Sequence, residues 1–373
     1  MSEQHLHIIT HDVPYPADFG GVIDAFNKIK ALAKLGVKIN LHCYTNKRAQ
    51  QSILENFCET VTYYPRTMIS GFSLKLPFIV ASRKDKQLLA NLKKDNHPIL
   101  FEGIHTTYLL QKNLLIDRKV FLRILNVENI YYSYIASHEK NIIKRLYYFT
   151  EAKLLKKYER TIANKAIILA LSTSDKSFFQ AEYKARSIIF LPAFLPDNFV
   201  TSLIGKGKYC LYHGNLQVNE NEKAAFWLIE NIFSKSFIPF VIAGNKPSIS
   251  LKKSAKKYQN ISIVETPSEK NMQLLVNNAQ INILPSFNST GIKLKLLNAL
   301  YNGRYCLVNQ EGVEGSGLNE LCEVAEKIDE FAKKIITLFT QEFTQKEMQH
   351  RSTALKKLYN NEQSARMIID MLS

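Results

Sequence analysis

Short apolar runs alternate along the chain with segments of helical periodicity. The first run, 6–9, is followed at 22–35 by apolar residues at helical spacing, and Gly36 separates that segment from the next run, 37–41. Strand, helix and strand in this order form a βαβ unit with two parallel strands. The same pattern predicts further strands, with helical segments between them, at 98–101, 120–125, 166–171 and 187–190.

A break follows the last of these strands. Pro192, Pro196 and a glycine-containing stretch at 205–207 interrupt the alternation, which then restarts. Two such series predict an α/β protein with two Rossmann-like, doubly wound parallel sheets that face each other across a cleft. Ligands of such sheets bind at the carboxyl ends of the strands. The second series has predicted strands at 209–212, 240–242, 261–264, 281–284 and 305–308, helices at 222–232 and 291–302, and only helices from about 326.

The composition limits the protein class. The 373 residues are 46% hydrophobic and 22% charged, which is typical of a globular chain of about two domains. Five cysteines without a CxxC pair argue against a disulfide framework and against a structural zinc site. The first residues do not resemble a secretory signal, and no apolar run approaches the roughly 20 residues of a membrane span. We therefore expect a cytoplasmic protein, either free or peripheral on the inner face of the membrane.

The net charge of +16 is concentrated in the first half of the chain. Residues 1–200 hold 28 Lys and Arg against 17 Asp and Glu, whereas residues 201–373 hold 21 against 16. A basic surface suits nucleic acid, anionic lipid or an anionic substrate, but no nucleic-acid-binding module is recognisable, so nucleic acid is not an expected partner. Segments 66–94 and 140–160 mix cations with apolar residues, which predicts docking on an anionic membrane surface. The alternative is a solvated helix face, which is favoured for 140–160.

In the first half, polar residues and glycines follow the predicted strands. Gly20 and Gly21 precede the first helix, where a ligand-binding loop and a plain turn are equally compatible with the sequence. His105 follows the strand at 98–101 and has either a structural or a catalytic role. Asn126 and Glu128 come after the next strand and either cap the following helix or line the cleft, with capping favoured for Asn126.

The strongest candidate segment is 285–303, a polar loop that leads into a helix. Thr290 can cap this helix, and the N–H groups near Gly291 are then available to an anion. Lys295 and Asn298 lie three residues apart and share one helical face. A diphosphate at this position would be stabilised by backbone donors and an ammonium group. The alternative is that the lysines of the segment are solvated surface residues.

Several motifs are absent. The sequence contains no Asp-x-Asp, the usual short motif for holding a metal–diphosphate complex, and no HExxH, GxSxG or P-loop motif. Zinc proteases, α/β-hydrolases of the usual signature and P-loop NTPases are therefore excluded.

Over nearly its whole length the chain resembles GT-B glycosyltransferases, and most of all glycosyltransferase family 4. Besides the Gly-Gly loop, the similar segments are 123–132 (family pattern Arg-x-His-Asn-x-Glu-x-x-Tyr-Tyr), 212–221 (Gly-x-Leu/Met-x-x-x-x-Asn), 241–247 (Gly-x-x-Pro) and 290–303 with 312–315 (Gly-x-x-x-Lys-x-Leu-Glu-Ala-x-x-x-Gly and a glycine-rich loop).

The resemblance implies a function. Such enzymes transfer a sugar with retention and without a metal or another cofactor, from a nucleotide-sugar to a glycan or lipid-linked acceptor, often in envelope polysaccharide synthesis. It implies an acceptor-binding domain at 1–200, a donor-binding domain at 201–345, and helices at 346–373 that cross back to the first domain. The implied site residues are His105 and Lys295 as catalytic groups, Gly20, Gly21, Gly214, Asn215, Gly244, Thr290, Gly291, Lys295 and Asn298 at the donor, and Asn126 and Glu128 at the acceptor.

The chain departs from the family pattern at four positions. Asn298 and Thr290 replace two glutamates, Leu125 replaces a histidine, and Asn215 replaces an arginine. An amide at position 298 can still bond a ribose hydroxyl, but without charge assistance, which makes such a bond about half as strong. Two alternatives therefore stay open: a degenerate GT-B protein that is a non-catalytic partner of another transferase, and a nucleotide-sugar epimerase.

Overall fold

The computed structural model describes residues 3–18, 20–67, 73, 75–115, 117–196, 199–288 and 291–372. The chain divides into two compact units. The first unit comprises residues 1–197 and 359–373, and the second comprises residues 198–358. Each unit is organised around a parallel β-sheet, which confirms the α/β class and the two doubly wound sheets predicted from the sequence.

The first unit contains a seven-stranded sheet with the strand order β3-β2-β1-β4-β5-β6-β7. Six of its strands are those that the apolar runs predict. The sequence pattern missed β3, an edge strand in which only Tyr64 is buried, so that it lacks a continuous apolar run. The strands are β1 His5–Thr10, β2 Lys38–Thr45, β3 Thr60–Pro65, β4 Ile99–Glu102, β5 Val120–Ile124, β6 Ile167–Ala170 and β7 Ile188–Phe190.

Helices connect these strands. The helices of the first unit, in chain order up to residue 197, are α1 Gly20–Lys34, α2 Phe78–Ala81, α3 Lys86–Leu92, α4 Tyr108–Gln111, α5 Glu128–His138, α6 Ile142–Ile162 and α7 Thr173–Tyr183. Two apolar clusters contain strand and helix residues of this unit. One cluster contains Leu155 and Ile162 of α6, and the other contains Ile29 and Leu32 of α1.

A buried ionic cluster attaches α1 to the sheet. Lys28 donates to Asp24 at 2.9 Å and to Glu102 of β4 at 2.6 Å. Arg123 of β5 donates to both carboxylate oxygens of Asp24, at 3.0 and 2.9 Å, and also to the backbone carbonyl of Pro192. Buried charges are tolerated when they are paired and hydrogen-bonded in this way. The arginine of the 123–132 motif therefore has a structural role, because it fixes α1 and the segment after β7.

The second unit contains a six-stranded parallel sheet with the order β10-β9-β8-β11-β12-β13. Its strands are β8 Cys210–His213, β9 Phe240–Gly244, β10 Ile261–Glu265, β11 Ile281–Ile283, β12 Tyr305–Val308 and the unpredicted two-residue β13 Glu323–Val324. Its helices are α8 Asn219–Asn231, α9 Ile249–Ala255, α10 Glu269–Asn278, α11 Leu294–Asn302, α12 Gln310–Val313, α13 Ile328–Thr340 and α14 Gln345–Leu358.

The last helix, α15 Asn361–Leu372, belongs to the first unit. Its Ala365 and Ile368 are fully buried in the apolar cluster that also contains α1. The second unit ends at residue 358, so α14 belongs to it. The resemblance instead implies that the helices crossing back to the first domain begin at residue 346. No helix in the described part of the chain is long and apolar enough to cross a membrane.

Candidate functional site

In the second unit, polar groups meet where β8 ends. His213 is the last residue of β8, and Gly214 and Asn215 follow it before α8 begins. The imidazole of His213 is buried, and its Nε2 has no hydrogen-bond partner among the described residues. Burial, together with the nearby charge of Lys295, lowers the pKa of His213 to about 3, so the ring is neutral at physiological pH.

Lys295 lies in the first turn of α11, and its ammonium group reaches this strand end. Nζ donates to Asn221 Oδ1 at 3.0 Å and to Tyr212 Oη at 3.4 Å, and it lies 5.0 Å from the centre of the Tyr212 ring. Burial lowers the pKa of Lys295 to about 8, and the carboxylate of Glu220 partly opposes this shift. No carboxylate of the described residues lies within 4.0 Å of Nζ. The lysine is therefore held in place by neutral groups and keeps its charge available.

A second hydrogen-bond network joins β11 and β12 to α8. Ser286 donates through Oγ to Glu220 at 3.1 Å, and its backbone N–H donates to Asn309 Oδ1 at 2.8 Å. Asn309 in turn donates to the carbonyl of Ser286 and to Glu311, both at 2.6 Å. Sequence analysis missed Glu220, Ser286 and Asn309. The signal that could have found them is their position, since each follows or faces the carboxyl end of a strand.

Two predicted glycines have a packing reason in this unit. A Cβ on Gly244 would lie 1.9 Å from the carbonyl oxygen of Gly214, so the ends of β8 and β9 can approach this closely only without a side chain at position 244. A Cβ on Gly214 would lie 3.3 Å from Cγ of Asn221, which is a tight contact. Asn215 is exposed, its carbonyl accepts from Asn221 at 3.0 Å, and its side-chain oxygen accepts from the N–H of Gln217 at 3.1 Å. These contacts shape the loop that surrounds Lys295.

The helix start predicted at residue 291 is wrong. α11 begins at Leu294, with Lys293 at the capping position and no side-chain cap. Gly291 has φ +66°, a left-handed conformation that glycine adopts without strain. A right-handed helix cannot include a residue in this conformation, so the helix cannot start at Gly291. The predicted capping residue, Thr290, lies outside the described residues. Lys295 thus lies in the first helical turn, whereas Gly291 precedes the helix.

Asn298 forms a hydrogen bond within its own helix. Its Oδ1 and its carbonyl oxygen accept from Asn302 Nδ2, at 2.9 and 3.0 Å, and Asn302 also accepts from the hydroxyl of Thr201 at 2.7 Å. The amide oxygen of Asn298 is therefore engaged along the helix. The predicted contact between this residue and a ribose hydroxyl stays a prediction. Asn298 could make it as a donor through Nδ2.

In the first unit, two histidines meet beside the Gly-Gly loop. His11 follows β1, His105 follows β4, and their ring centroids lie 5.1 Å apart. A Cβ on Gly21 would approach the His11 ring to 2.8 Å, which explains the glycine there by close packing. Gly20 is exposed at the first position of α1.

Both histidines are neutral. Burial, reinforced by the charge of Arg83, lowers the pKa of His11 to about 3 and holds the pKa of His105 well below its usual value. The Nδ1 atom of His105 is buried without a hydrogen-bond partner in the described part of the chain. Sequence analysis predicted His105 and missed His11, and it considered Arg83 only as a cation of the docking segment 66–94.

The expected capping role of Asn126 is wrong. The capping position of α5 is Val127, and the first N–H of the helix, that of Glu128, donates to Glu159 Oε1 of α6 at 2.7 Å. The side chain of Asn126 instead bonds the buried carboxyl of Glu128. Burial and the neighbouring Glu159 raise the pKa of Glu128 to about 8, and burial raises that of Glu159 to about 7. Sequence analysis missed Glu159. The signal that could have found it is a carboxylate on the buried, mostly apolar face of α6, near Leu155.

The described residues contain no group of three or more His, Cys, Asp or Glu side chains that could hold a metal ion. The predicted residues thus form two groups. One, in the second unit, contains Lys295, Gly214, Asn215 and Gly244 around the ends of β8 and β9. The other, in the first unit, contains Gly21 and His105 around His11.

Comparison with known proteins identifies a relative and a fold. No family model matches the chain. A Klebsiella pneumoniae protein described as an uncharacterized 44.6 kDa protein in the cps region is 30% identical over 357 residues, which cover 88% of this chain and 89% of that protein.

Solved structures of glycosyltransferases share the fold at low identity. TarM is 9% identical, with 100% of this chain and 99% of TarM covered and a TM-score of 0.68. Anabaena HepE, in complex with UDP and glucose, is 11% identical, with 99% of both chains covered and a TM-score of 0.66. A Rickettsia africae glycosyltransferase is 14% identical, with 100% of this chain and 98% of that chain covered and a TM-score of 0.66. The fold is therefore the GT-B fold, as predicted, whereas membership of family 4 stays a prediction.

Proposed function

We propose an activity for this chain from one premise: it belongs to the same family as the cps-region protein of Klebsiella pneumoniae and has the GT-B fold. The proposed activity is transfer of a sugar from a nucleotide-sugar to a glycan or lipid-linked acceptor, with retention and without a metal, in envelope polysaccharide synthesis. The cps region of the relative supports the polysaccharide assignment, and the UDP bound to HepE supports a nucleotide-sugar as donor.

The observation that carries the proposal is the ammonium group of Lys295. It stands at the carboxyl end of a parallel sheet, where doubly wound folds bind their ligands, and its hydrogen-bond partners among the described residues are neutral. Cleavage of a sugar–phosphate bond leaves negative charge on the departing diphosphate. A fixed cation in a desolvated position stabilises that charge as it develops.

The first test is binding of the donor. Purified protein is titrated with UDP, GDP and their common sugar conjugates, and the melting temperature is recorded. A ligand at 100 times its dissociation constant stabilises the folded state by about 2.7 kcal/mol, which is readily detected. A shift with one base and one sugar would identify the donor, whereas no shift with any of them would contradict the proposed activity.

The second test is the charge of Lys295. Loss of one such donor typically costs about 3 kcal/mol of transition-state stabilisation, so we expect Lys295→Ala to reduce turnover at least tenfold. Lys253→Ala removes an exposed lysine of α9 and is the matched control. Unchanged turnover in Lys295→Ala would show that this residue has no role in catalysis.

A non-catalytic role is the second candidate, and the state of Asn298 favours it. Its amide oxygen accepts from Asn302, so the residue at the position of the family's ribose-binding glutamate has lost both its charge and part of its bonding capacity. Nucleotide-sugar binding without turnover, in the presence of acceptor glycans, would support a partner protein. Conversion of the free donor without any acceptor would instead indicate an epimerase.

We also propose that the first unit docks on an anionic membrane surface through the start of α6. Four apolar side chains are strongly exposed there: Ile142 (72%), Ile143 (81%), Leu146 (69%) and Phe149 (44%). Lys140, Lys144 and Arg145 are exposed beside them. Exposed apolar residues flanked by cations suit an interface with anionic lipid, since each nearby cation contributes about 1 kcal/mol of attraction.

The other segment considered from sequence, 66–94, gives less support to docking. Its Ile79 and Arg83 are buried, and Leu76 and Phe78 are partly buried. Met68, Ile69, Phe72 and Leu74 lie outside the described residues. Sedimentation with phosphatidylcholine vesicles, with and without phosphatidylglycerol, tests the proposal at low salt. Equal recovery with both vesicles would contradict it.

A further inference from the structure

Two arginines of the first unit form hydrogen bonds but, among the described residues, no ion pair with a carboxylate. Arg83 is only 5% exposed, and its guanidinium donates to backbone carbonyls, from Nε to His11 at 3.1 Å and from NH1 to Ile79 at 2.7 Å. Arg66 donates from Nε to Ser82 Oγ at 2.9 Å. Within the described residues, neither guanidinium has a carboxylate within 4.0 Å, whereas the nearby Arg48 forms an ion pair with Asp18.

The two charges are close enough to affect each other. Burial, and after it the charge of Arg66, lowers the pKa of Arg83 to about 9. Like charges in a desolvated position destabilise the fold unless an opposite charge offsets them. Among the described residues, Asp12 partly opposes the shift in the pKa of Arg83, but its carboxylate does not lie within 4.0 Å of either guanidinium, so neither arginine is ion-paired. The arrangement is instead suited to receive one negative group from outside.

The side chains beside the arginines are neutral and include a buried nitrogen without a hydrogen-bond partner among the described residues. His11, whose carbonyl fixes Arg83, packs its ring against that of His105. The Nδ1 atom of His105 is buried and has no hydrogen-bond partner in the described part of the chain. Gly21 contributes no side chain, and any Cβ there would collide with the His11 ring. Two neutral imidazoles and two guanidinium groups form a cluster of hydrogen-bond donors, and no described carboxylate lies within 4.0 Å of either guanidinium. We call this group the arginine–histidine cluster (His11, Arg66, Arg83, His105).

We propose that the arginine–histidine cluster binds an oxyanion, a phosphate or a carboxylate, that is part of the molecule held by the first unit. On the proposed function, this molecule is the acceptor, so the acceptor is anionic. Guanidinium groups match both kinds of oxyanion, because their N–H donors form paired hydrogen bonds with two oxygens. Placing the oxyanion on the acceptor also accounts for a cation cluster in the unit that does not contain Lys295.

Direct binding of small oxyanions tests this inference. The full-length protein is labelled at histidine Cε1, and the His11 and His105 resonances are assigned with His11→Gln and His105→Gln. It is then titrated with methyl phosphate and, separately, with acetate at constant ionic strength. We expect saturable shifts of both resonances with at least one anion. The anion that binds more tightly identifies the acceptor group as phosphate or carboxylate.

Two variants locate the site. We expect Arg66→Gln to weaken this binding at least tenfold and Lys86→Gln, which removes an exposed lysine of α3, to leave it unchanged. Arg66 is partly exposed and makes one side-chain hydrogen bond, so its replacement keeps the fold, as unchanged melting would verify. Arg83→Gln is the second variant, with the same expected loss. Absent shifts in the wild type, or equal shifts in Arg66→Gln, would overturn the inference.

A parallel titration with UDP separates this inference from the proposed function. UDP affinity should fall in Lys295→Ala and stay unchanged in Arg66→Gln. If UDP does not bind at all while methyl phosphate or acetate still shifts the two histidines, the proposed donor fails and the anion site stands. If Arg66→Gln weakens UDP as much as it weakens the small anion, the cluster serves the donor, and the assignment to the acceptor is overturned.

Discussion

At the scale of single residues, the protonation state of Lys295 determines the charge available to a diphosphate. Its pKa of about 8 predicts that the free protein loses this charge as the pH rises from 7 to 9. A terminal phosphate titrates at about pH 6 and is already mostly ionised at pH 7, and its remaining ionisation would strengthen binding, so a fall in affinity comes from the protein. We expect UDP affinity, measured by calorimetry, to fall several-fold between these pH values.

The matched variant is Lys295→Arg, because a guanidinium group stays protonated throughout this range. Its absolute affinity will differ from that of the wild type, but its pH dependence should vanish. Lys253→Arg, on the exposed side of α9, should keep the wild-type dependence. A wild-type affinity that is equal at pH 7 and pH 9 would contradict the assignment.

Glu128 provides a residue-scale prediction about stability. Its carboxyl has a pKa raised to about 8, so the native state retains a proton that the unfolded state loses near pH 4.5. Below pH 4.5 the carboxyl is uncharged in both states, and between pH 4.5 and about pH 8 only the unfolded state ionises, so the native state is progressively destabilised as the pH rises. Glu128→Gln removes this destabilisation. We expect its free energy of unfolding, relative to wild type, to rise by at least ~1 kcal/mol from pH 5 to pH 9.

Chemical denaturation at the two pH values measures this difference. The comparison between pH values removes any constant effect of losing the hydrogen bond from Asn126. Glu182→Gln, at an exposed position of α7, is the control and should show no such change. A Glu128→Gln effect that does not vary with pH would mean that this carboxyl is ionised in the folded protein throughout.

At the scale of elements, α6 combines a buried half and an exposed start. Leu155, Tyr158 and Ile162 belong to the core, whereas the first two turns expose Ile143 and Leu146. Burying such side chains in lipid yields about 25 cal/mol per Å² of apolar area. We expect Ile143→Ser combined with Leu146→Ser to reduce sedimentation with phosphatidylglycerol vesicles at least fivefold, with unchanged melting.

Ile336→Ser is the control for this pair. Ile336 is 63% exposed on α13 of the second unit, where no role in docking is proposed. Its replacement should leave vesicle binding unchanged. If all three replacements reduce binding equally, the interaction reflects general hydrophobicity and not the start of α6.

The elements also show where sequence reasoning works. Apolar runs such as 209–212 and 305–308 predict strands well, because both faces of a parallel sheet are buried and the signal is local. The start of α11 was misplaced because the left-handed Gly291 and the path before Leu294 are set by the surrounding loop. Lys295 was predicted from its position in a motif. Its partners Tyr212 and Asn221 lie far away in sequence, and their contacts depend on the fold.

At the scale of the whole molecule, the largest gap in the sequence prediction concerns hydrogen bonds and ion pairs between residues far apart in the chain. Asp24 and Arg123 are 99 residues apart, and His11 and Arg83 are 72 apart, yet each pair is in direct contact. No periodicity encodes such pairs, because they result from the strand order and not from local patterns. The two-unit division was predictable from the repeated alternation, but the position of α15 within the first unit was available only from resemblance to a family.

The packing of α15 on α1 yields the last prediction. Ile368 is fully buried in the apolar cluster of the first unit, whereas its neighbour Met367 is 37% exposed. Ile368→Ala should destabilise the protein by about 2–4 kcal/mol through lost burial and the cavity that remains, and Met367→Ala by much less. Amide hydrogen exchange locates the effect. We expect faster exchange in α1 and α15 and unchanged exchange in β8 and β9, since the replaced side chain belongs to the first unit alone. Equal acceleration in both units would show that the C-terminal helix stabilises the whole chain.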